Sequence, residues 1–142
     1  MNTNKPWWQY RFDNYKRAYF LLQEICDRQR QEDLEQIAKE GMIQRFEFCM
    51  ELAWKTIRDY MEHSGVVFAQ VVPSVVIKDA GAAKLIDETE IWLQALDDRN
   101  TISHTYDFKK FEQVIERVSS SYINDCFGAL YETLSQTIAD ES

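Results

Sequence analysis

Apolar residues recur along most of this chain at steps of three and four. Trp8, Phe12, Tyr15, Tyr19, Leu22 and Cys26 form the first run, which puts one apolar stripe on a helix of about five turns. The polar stretch from Asp27 to Asp33 predicts its end and a turn. A second helix is predicted from about Asp33 to His63. Its inner face is Phe46, Met50, Ala53, Ile57 and Tyr60, widened by Cys49, Trp54 and Met61. Glu51 precedes Lys55 by four residues, the order that favours an exposed ion pair along a helix. Gly65 supplies a stop, and Gly41 a point where the helix can kink.

Residues 66–72 are β-prone by composition, but a lone strand between helices has no pairing partner here, so the segment reads as an extended, packed connector. Pro73 fits the first turn of a short helix carrying Val76, Ile77 and Ala80. Asp87 and Glu90 have the spacing of a capping box, opening a helix with Trp92, Leu93 and Leu96 inward. The last helix is expected to begin near Asp107 and to carry Phe111, Ile115, Val118, Tyr122, Cys126 and Leu130. Long amphipathic helices on short connectors predict an all-α fold, an antiparallel up-and-down bundle of four to five helices, with residues 1–142 as one domain.

Composition narrows the function classes. Of 142 residues 45% are apolar, with only four Gly and two Pro, which disfavours disorder and turn-rich β folds. No run approaches a membrane span, and the opening MNTNKPWWQYRF lacks the apolar core of a secretory signal, so a cytoplasmic protein with no membrane partner is expected. Cys26, Cys49 and Cys126 are widely spaced and odd in number, and read as buried thiols. The net charge of −8 argues against nonspecific nucleic-acid binding; any RNA contact needs a local cationic patch.

The densest chemistry lies in Arg99-Asn100-Thr101-Ile102-Ser103-His104-Thr105-Tyr106. A guanidinium is a fixed fork suited to phosphate, and an imidazole takes or gives a proton near neutral pH. Together they suit phosphodiester chemistry or nucleotide binding without a metal. If the helix persists, at about 100° per residue Ser103 lies about 40° from Arg99, Tyr106 about 20° to its other side, Asn100 near 100° and His104 near 140°. Arg99 and His104 then do not face each other within one chain, and a twofold dimer would bring two copies of each together. Each residue also has an ordinary reading. Arg99 can pair with Asp97 or Asp98 near a helix end, and His104 can be a satisfied helix-end imidazole. Asn100 and Ser103 can cap freed carbonyls, while Tyr106 and Phe111 can form a hydrophobic staple around Asp107.

The other candidates carry less. His63 closes a helix, where the dipole favours it. The aromatic stripe from Trp8 to Tyr19 reads as core or dimer surface, and Glu47 and Glu51 read as a solvated edge near Lys55. Two His and scattered Cys offer no metal-ligand spacing, and neither a Gly-rich phosphate loop nor a Ser/His/Asp pattern is visible.

Two segments carry a family resemblance. Phe46-Glu47-Phe48-Cys49-Met50-Glu51-Leu52-Ala53-Trp54-Lys55 resembles the FExxxELAWK helix of the nucleotidyltransferase substrate-binding protein family. Asp98-Arg99-Asn100, followed by Ser103-His104-Thr105-Tyr106, is similar to that family's RN..SHTY segment. The resemblance runs through nearly the whole chain. It implies membership of the HEPN superfamily, marked by Arg, four to six residues, then His, and a HEPN-like helical-bundle homodimer encoded beside a minimal nucleotidyltransferase (MNT) partner. In the toxin–antitoxin version, the resemblance implies a metal-independent ribonuclease in which Arg99 holds the scissile phosphate and His104 acts as acid or base. Asn100 and Ser103 then support the site. Tyr106 is the residue the MNT chain adenylylates, with ATP used by that partner and no cofactor in this chain. The alternative it implies is a non-catalytic substrate- or nucleotide-binding subunit of a two-component nucleotidyltransferase.

Overall fold

The first apolar stripe is buried along its whole length. In a computed structural model describing residues 5–102 and 107–142, helix α1 (Trp7–Gln31) buries Trp8, Phe12, Tyr15, Tyr19, Leu22 and Cys26, with Ile25 beside them. The helix outlasts the expected stop at Asp27. Its polar end residues face solvent on a last turn whose inner side is already fixed by Ile25 and Cys26. Leu34 then turns inward, its N–H donating to the Gln29 side chain at 3.0 Å.

Helix α2 (Gln36–His63) returns antiparallel to α1 and is unbroken at Gly41. Trp8 packs edge-on against Tyr60 at 4.8 Å, and Arg11 pairs with Asp59 at 2.8 Å. Farther along, Arg45 donates to the Leu21 carbonyl at 2.8 Å. The helix stops at Gly65, whose φ of +97° is left-handed. The Val66 N–H then reaches the Met61 carbonyl at 2.9 Å and the Gly65 N–H the Glu62 carbonyl at 3.0 Å, the paired bonds of a Schellman ending.

Residues 66–72 form no strand; Phe68 is buried and pins the connector while Val67 and Val71 stay exposed. Pro73 opens helix α3 (Pro73–Ala82), which buries Val76, Ile77 and Ala80. Its end repeats the Schellman bonds, with Lys84 at φ +62° in the position glycine usually fills. Helix α4 (Thr89–Ile102) starts two residues past Asp87 and buries Trp92, Ala95, Leu96 and Asp98; Leu93 is half-buried. Gly81 meets this start so closely that a Cβ there would lie 2.0 Å from Thr89 Oγ1.

Asp107 caps helix α5 (Phe108–Arg117), accepting from the N–H groups of Lys109 and Lys110. The rod continues without a break through a π-helical stretch, Val118–Gly128, into helix α6 (Ala129–Glu141). Val118, Tyr122, Cys126 and Leu130 face the core. The Tyr15 hydroxyl donates to the Phe127 carbonyl at 2.7 Å, and Arg30 donates to the Ser119 carbonyl, so the rod runs antiparallel to α1. The architecture is an all-α antiparallel bundle. Among the described residues no helix is long and apolar enough to cross a membrane.

Candidate functional site

The last turn of α4 distributes three polar residues to three destinations. Asp98 points inward and is only 2% exposed. Arg117 grips it with two bonds at 2.8 and 2.9 Å, the Tyr122 hydroxyl donates at 2.5 Å, and Lys110 adds a contact at 3.3 Å. Burial works to raise the pKa of this carboxyl; the bonds from Arg117 and Tyr122, with Lys110 beside them, outweigh it and hold the group below the usual carboxylate range. Burial, and then the hydrogen bond to Asp98, push the Tyr122 phenol well up. This cluster ties α4 to α5 and to the π-helical stretch.

Arg99, one residue on, leaves the helix sideways toward α2. Its Nη2 donates to Glu51 Oε1, while Nη1 makes only a long 3.4 Å contact with the Asn100 side chain. The ordinary reading of Arg99, a pair with Asp97 or Asp98, is therefore not what forms: Asp98 belongs to Arg117, and the partner of Arg99 comes from another helix. Glu51 is also more than a solvated edge. Its Oε2 accepts from Trp54 Nε1 at 3.2 Å and pairs with Lys55 at 3.2 Å, so both oxygens are used. Partial burial works to raise the Glu51 carboxyl, and the Lys55 bond with the charges of Arg99 and Lys55 outweighs it, leaving the pKa lowered. Trp54 in turn lies under the Arg58 guanidinium, 5.4 Å from the ring centre.

The Glu51–Arg99 pair forms one wall of a hollow of about 300 Å³, completed by Gln44, Glu47 and Phe48. A second hollow of about 450 Å³ between α1 and α2 adjoins it, sharing Phe48 and Glu51 and adding Leu21, Leu52, Arg17 and Arg45. Phe48 is 68% exposed between the two. The surface thus offers an oriented guanidinium, two carboxylates one turn apart and an apolar floor. It can hold a phosphate against Arg99 or a hydroxyl- or ammonium-bearing group against Glu47 and Glu51.

Asn100 is exposed at the rim. Ser103, His104 and Tyr106 lie outside the described residues, and so do the angular positions expected for them. Asp107, just beyond, is the helix cap that the staple reading required. Glu51 and Asp98 are the polar residues at this site that sequence reasoning underrated. The signal for Asp98 was its place three residues after Ala95 and four before Ile102, on the inward stripe.

The sequence model of the family described as "nucleotidyltransferase substrate binding protein like" matches residues 10–136. The chain belongs to that family. No curated protein matches it. A crystal structure of a protein from Thermus thermophilus is similar, with 26% identity and a TM-score of 0.70 over 87% of this chain and 98% of that one. In this nucleotidyltransferase substrate-binding-like protein, the two segments that resemble family motifs meet in space at Glu51 and Arg99, 48 residues apart.

Proposed function

We propose that this chain is the HEPN-type partner of a minimal nucleotidyltransferase, works as a homodimer in the cytoplasm, and is a metal-independent ribonuclease at a site built on Arg99 and His104. The observation that carries this reading is the Glu51–Arg99 contact, which brings both motif segments to one surface hollow. Exposed Phe48 and Leu21 beside it form an apolar rim that suits a facing copy. In the reaction, the RNA 2′-oxygen attacks phosphorus and the 5′-oxygen leaves, giving a cyclic phosphate. One proton is taken from the 2′-hydroxyl and one given to the 5′-oxygen. His104 serves a proton transfer and Arg99 offsets charge on the phosphorane. Asn100 and Ser103 support the site, and Tyr106 is the position that the partner adenylylates with ATP.

The test is cleavage of RNA by purified protein, wild type against His104→Ala, with and without the partner. His104→Ala abolishes cleavage with fold and dimer intact, and undiminished cleavage removes the proposal. Tyr106→Phe keeps cleavage and blocks inactivation; modification that persists in this variant refutes the role of Tyr106.

One observation favours a second reading. Glu47 and Glu51 flank Arg99, so the hollow carries no excess of positive charge, and a non-catalytic subunit presenting a polar substrate to the nucleotidyltransferase fits that balance. Absence of cleavage by wild type, together with transfer by the partner that depends on this chain, decides for that reading.

A further inference from the structure

Glu51 has no chemical role in the reading above, yet both of its oxygens are engaged. Oε1 receives Arg99 from α4, and Oε2 is held by Trp54 and Lys55 from the same helix as Glu51 itself. Trp54 is buried and braced by Arg58. A carboxylate fixed from below by two donors presents its free oxygen in one direction. Arg99, whose only other described contact is the long one to Asn100, takes its orientation from that oxygen.

We propose that Glu51 is the positioning residue for Arg99, fixing the direction of the guanidinium fork at the expense of its affinity for anions. The proposal rests on Arg99 being the phosphate-contacting group. A carboxylate beside a phosphate site repels the ligand while it holds the arginine. Its two effects therefore have opposite signs in binding and in turnover, and a merely structural residue produces no such split. Among the described residues, Gln44, Glu47, Lys55, Arg58 and Asn100 are further charged or polar groups near the pair, and no ion pair or side-chain hydrogen bond from them bridges α2 to α4 there.

The test compares the full-length wild type with Glu51→Gln, Trp54→Phe, Arg99→Ala and the double variant Glu51→Gln/Arg99→Ala. Binding is read with a fluorescent single-stranded oligonucleotide lacking 2′-hydroxyls, and turnover with its ribose counterpart. Glu51→Gln is expected to bind about threefold tighter, the size of one screened charge removed a few ångströms away, and to turn over about ten- to a hundredfold slower, as a misplaced group does. In the Arg99→Ala background the substitution slows turnover no further. Trp54→Phe loses one bond to Oε2 without changing charge; it slows turnover severalfold at unchanged affinity. Equal binding and turnover in Glu51→Gln overturn the proposal, and so does a parallel loss of both with a lowered melting point. If wild type does not cleave, the ribonuclease reading fails and binding alone decides Glu51: tighter binding by Glu51→Gln that disappears in the Arg99→Ala background upholds the proposal, and tighter binding that survives there, or equal binding, overturns it. If Arg99→Ala cleaves and binds as wild type does, the proposal falls with the role of Arg99.

Discussion

Asp98→Ala tests whether the buried carboxylate holds the end of α4 in place. Truncation leaves the Tyr122 hydroxyl, itself fully buried, without the acceptor 2.5 Å away; an orphaned buried donor costs about 1–3 kcal/mol. Arg117 loses two charged bonds, but its side chain is 27% exposed and regains water, so its share falls at the low end of about 1.5–3 kcal/mol. The sum is about 2.5–4.5 kcal/mol, close to the range for breaking one side of a buried ion pair. For a chain of this length that is a fall in melting temperature of about 10–15 °C.

The assay is thermal and urea unfolding followed by helical circular dichroism, repeated across pH. Because the fold lowers the Asp98 pKa, its stabilisation is complete above the unfolded carboxyl value of about 3.9 and is lost as pH falls through the folded value. The gap between wild type and variant is therefore full at neutral pH and narrows only below about pH 4. Tyr122→Phe, which leaves the ion pair, costs about 1 kcal/mol. A melting point within about 2 °C of wild type at pH 7, far short of the shift expected for a buried pair, would refute the reasoning, as would a gap that stays constant into acid.

Three further outcomes follow from local geometry. Lys84→Gly is expected to stabilise the protein by about 0.5–1 kcal/mol in chemical unfolding, because Lys84 holds a left-handed φ of +62° that glycine adopts freely; a loss of stability overturns this. Gly81→Ala is expected to destabilise by about 1–3 kcal/mol through the clash with Thr89 Oγ1, and Thr89→Ala in the same chain recovers most of it. The thiols of Cys26, Cys49 and Cys126 are buried and their pKa values raised by that burial, Cys26 to about 12. A thiol-specific disulfide reagent at pH 8 therefore reacts with the native protein no faster than it unfolds, and rapid native labelling would contradict their placement.

The periodic part of the fold was legible in the sequence because steps of three and four report directly which side of a helix is apolar. The α1 stripe and the α2 stripe needed nothing else, and neither did the Pro73 start or the Asp107 cap. The end of α1 was misread because polar residues at Asp27–Gln31 mark an exposed face as readily as a turn. The partner of Arg99 was unreadable for a different reason. Spacing along the chain offers only neighbours such as Asp97 and Asp98, whereas Glu51 reaches Arg99 by the packing of α2 on α4, 48 residues away. Glu51 did show its local partner: the Lys55 pair expected from i,i+4 spacing is present at 3.2 Å.

The π-helical stretch had a signal too, and it leads back to the site. Val118, Tyr122, Cys126 and Leu130 are spaced by four throughout. On an α-helix each such step drifts by about 40°, so three steps would carry the stripe about 120° out of the core. A wider turn removes that drift and keeps all four residues inward, as observed. Tyr122 is thereby placed to donate to Asp98, and Arg117, just before the widening, grips the same carboxylate. With Asp98 anchored inward, the next residue on α4 emerges about 100° around the helix, on the side that faces α2. Arg99 meets Glu51 there because a core carboxylate one residue earlier has set the rotation of the helix.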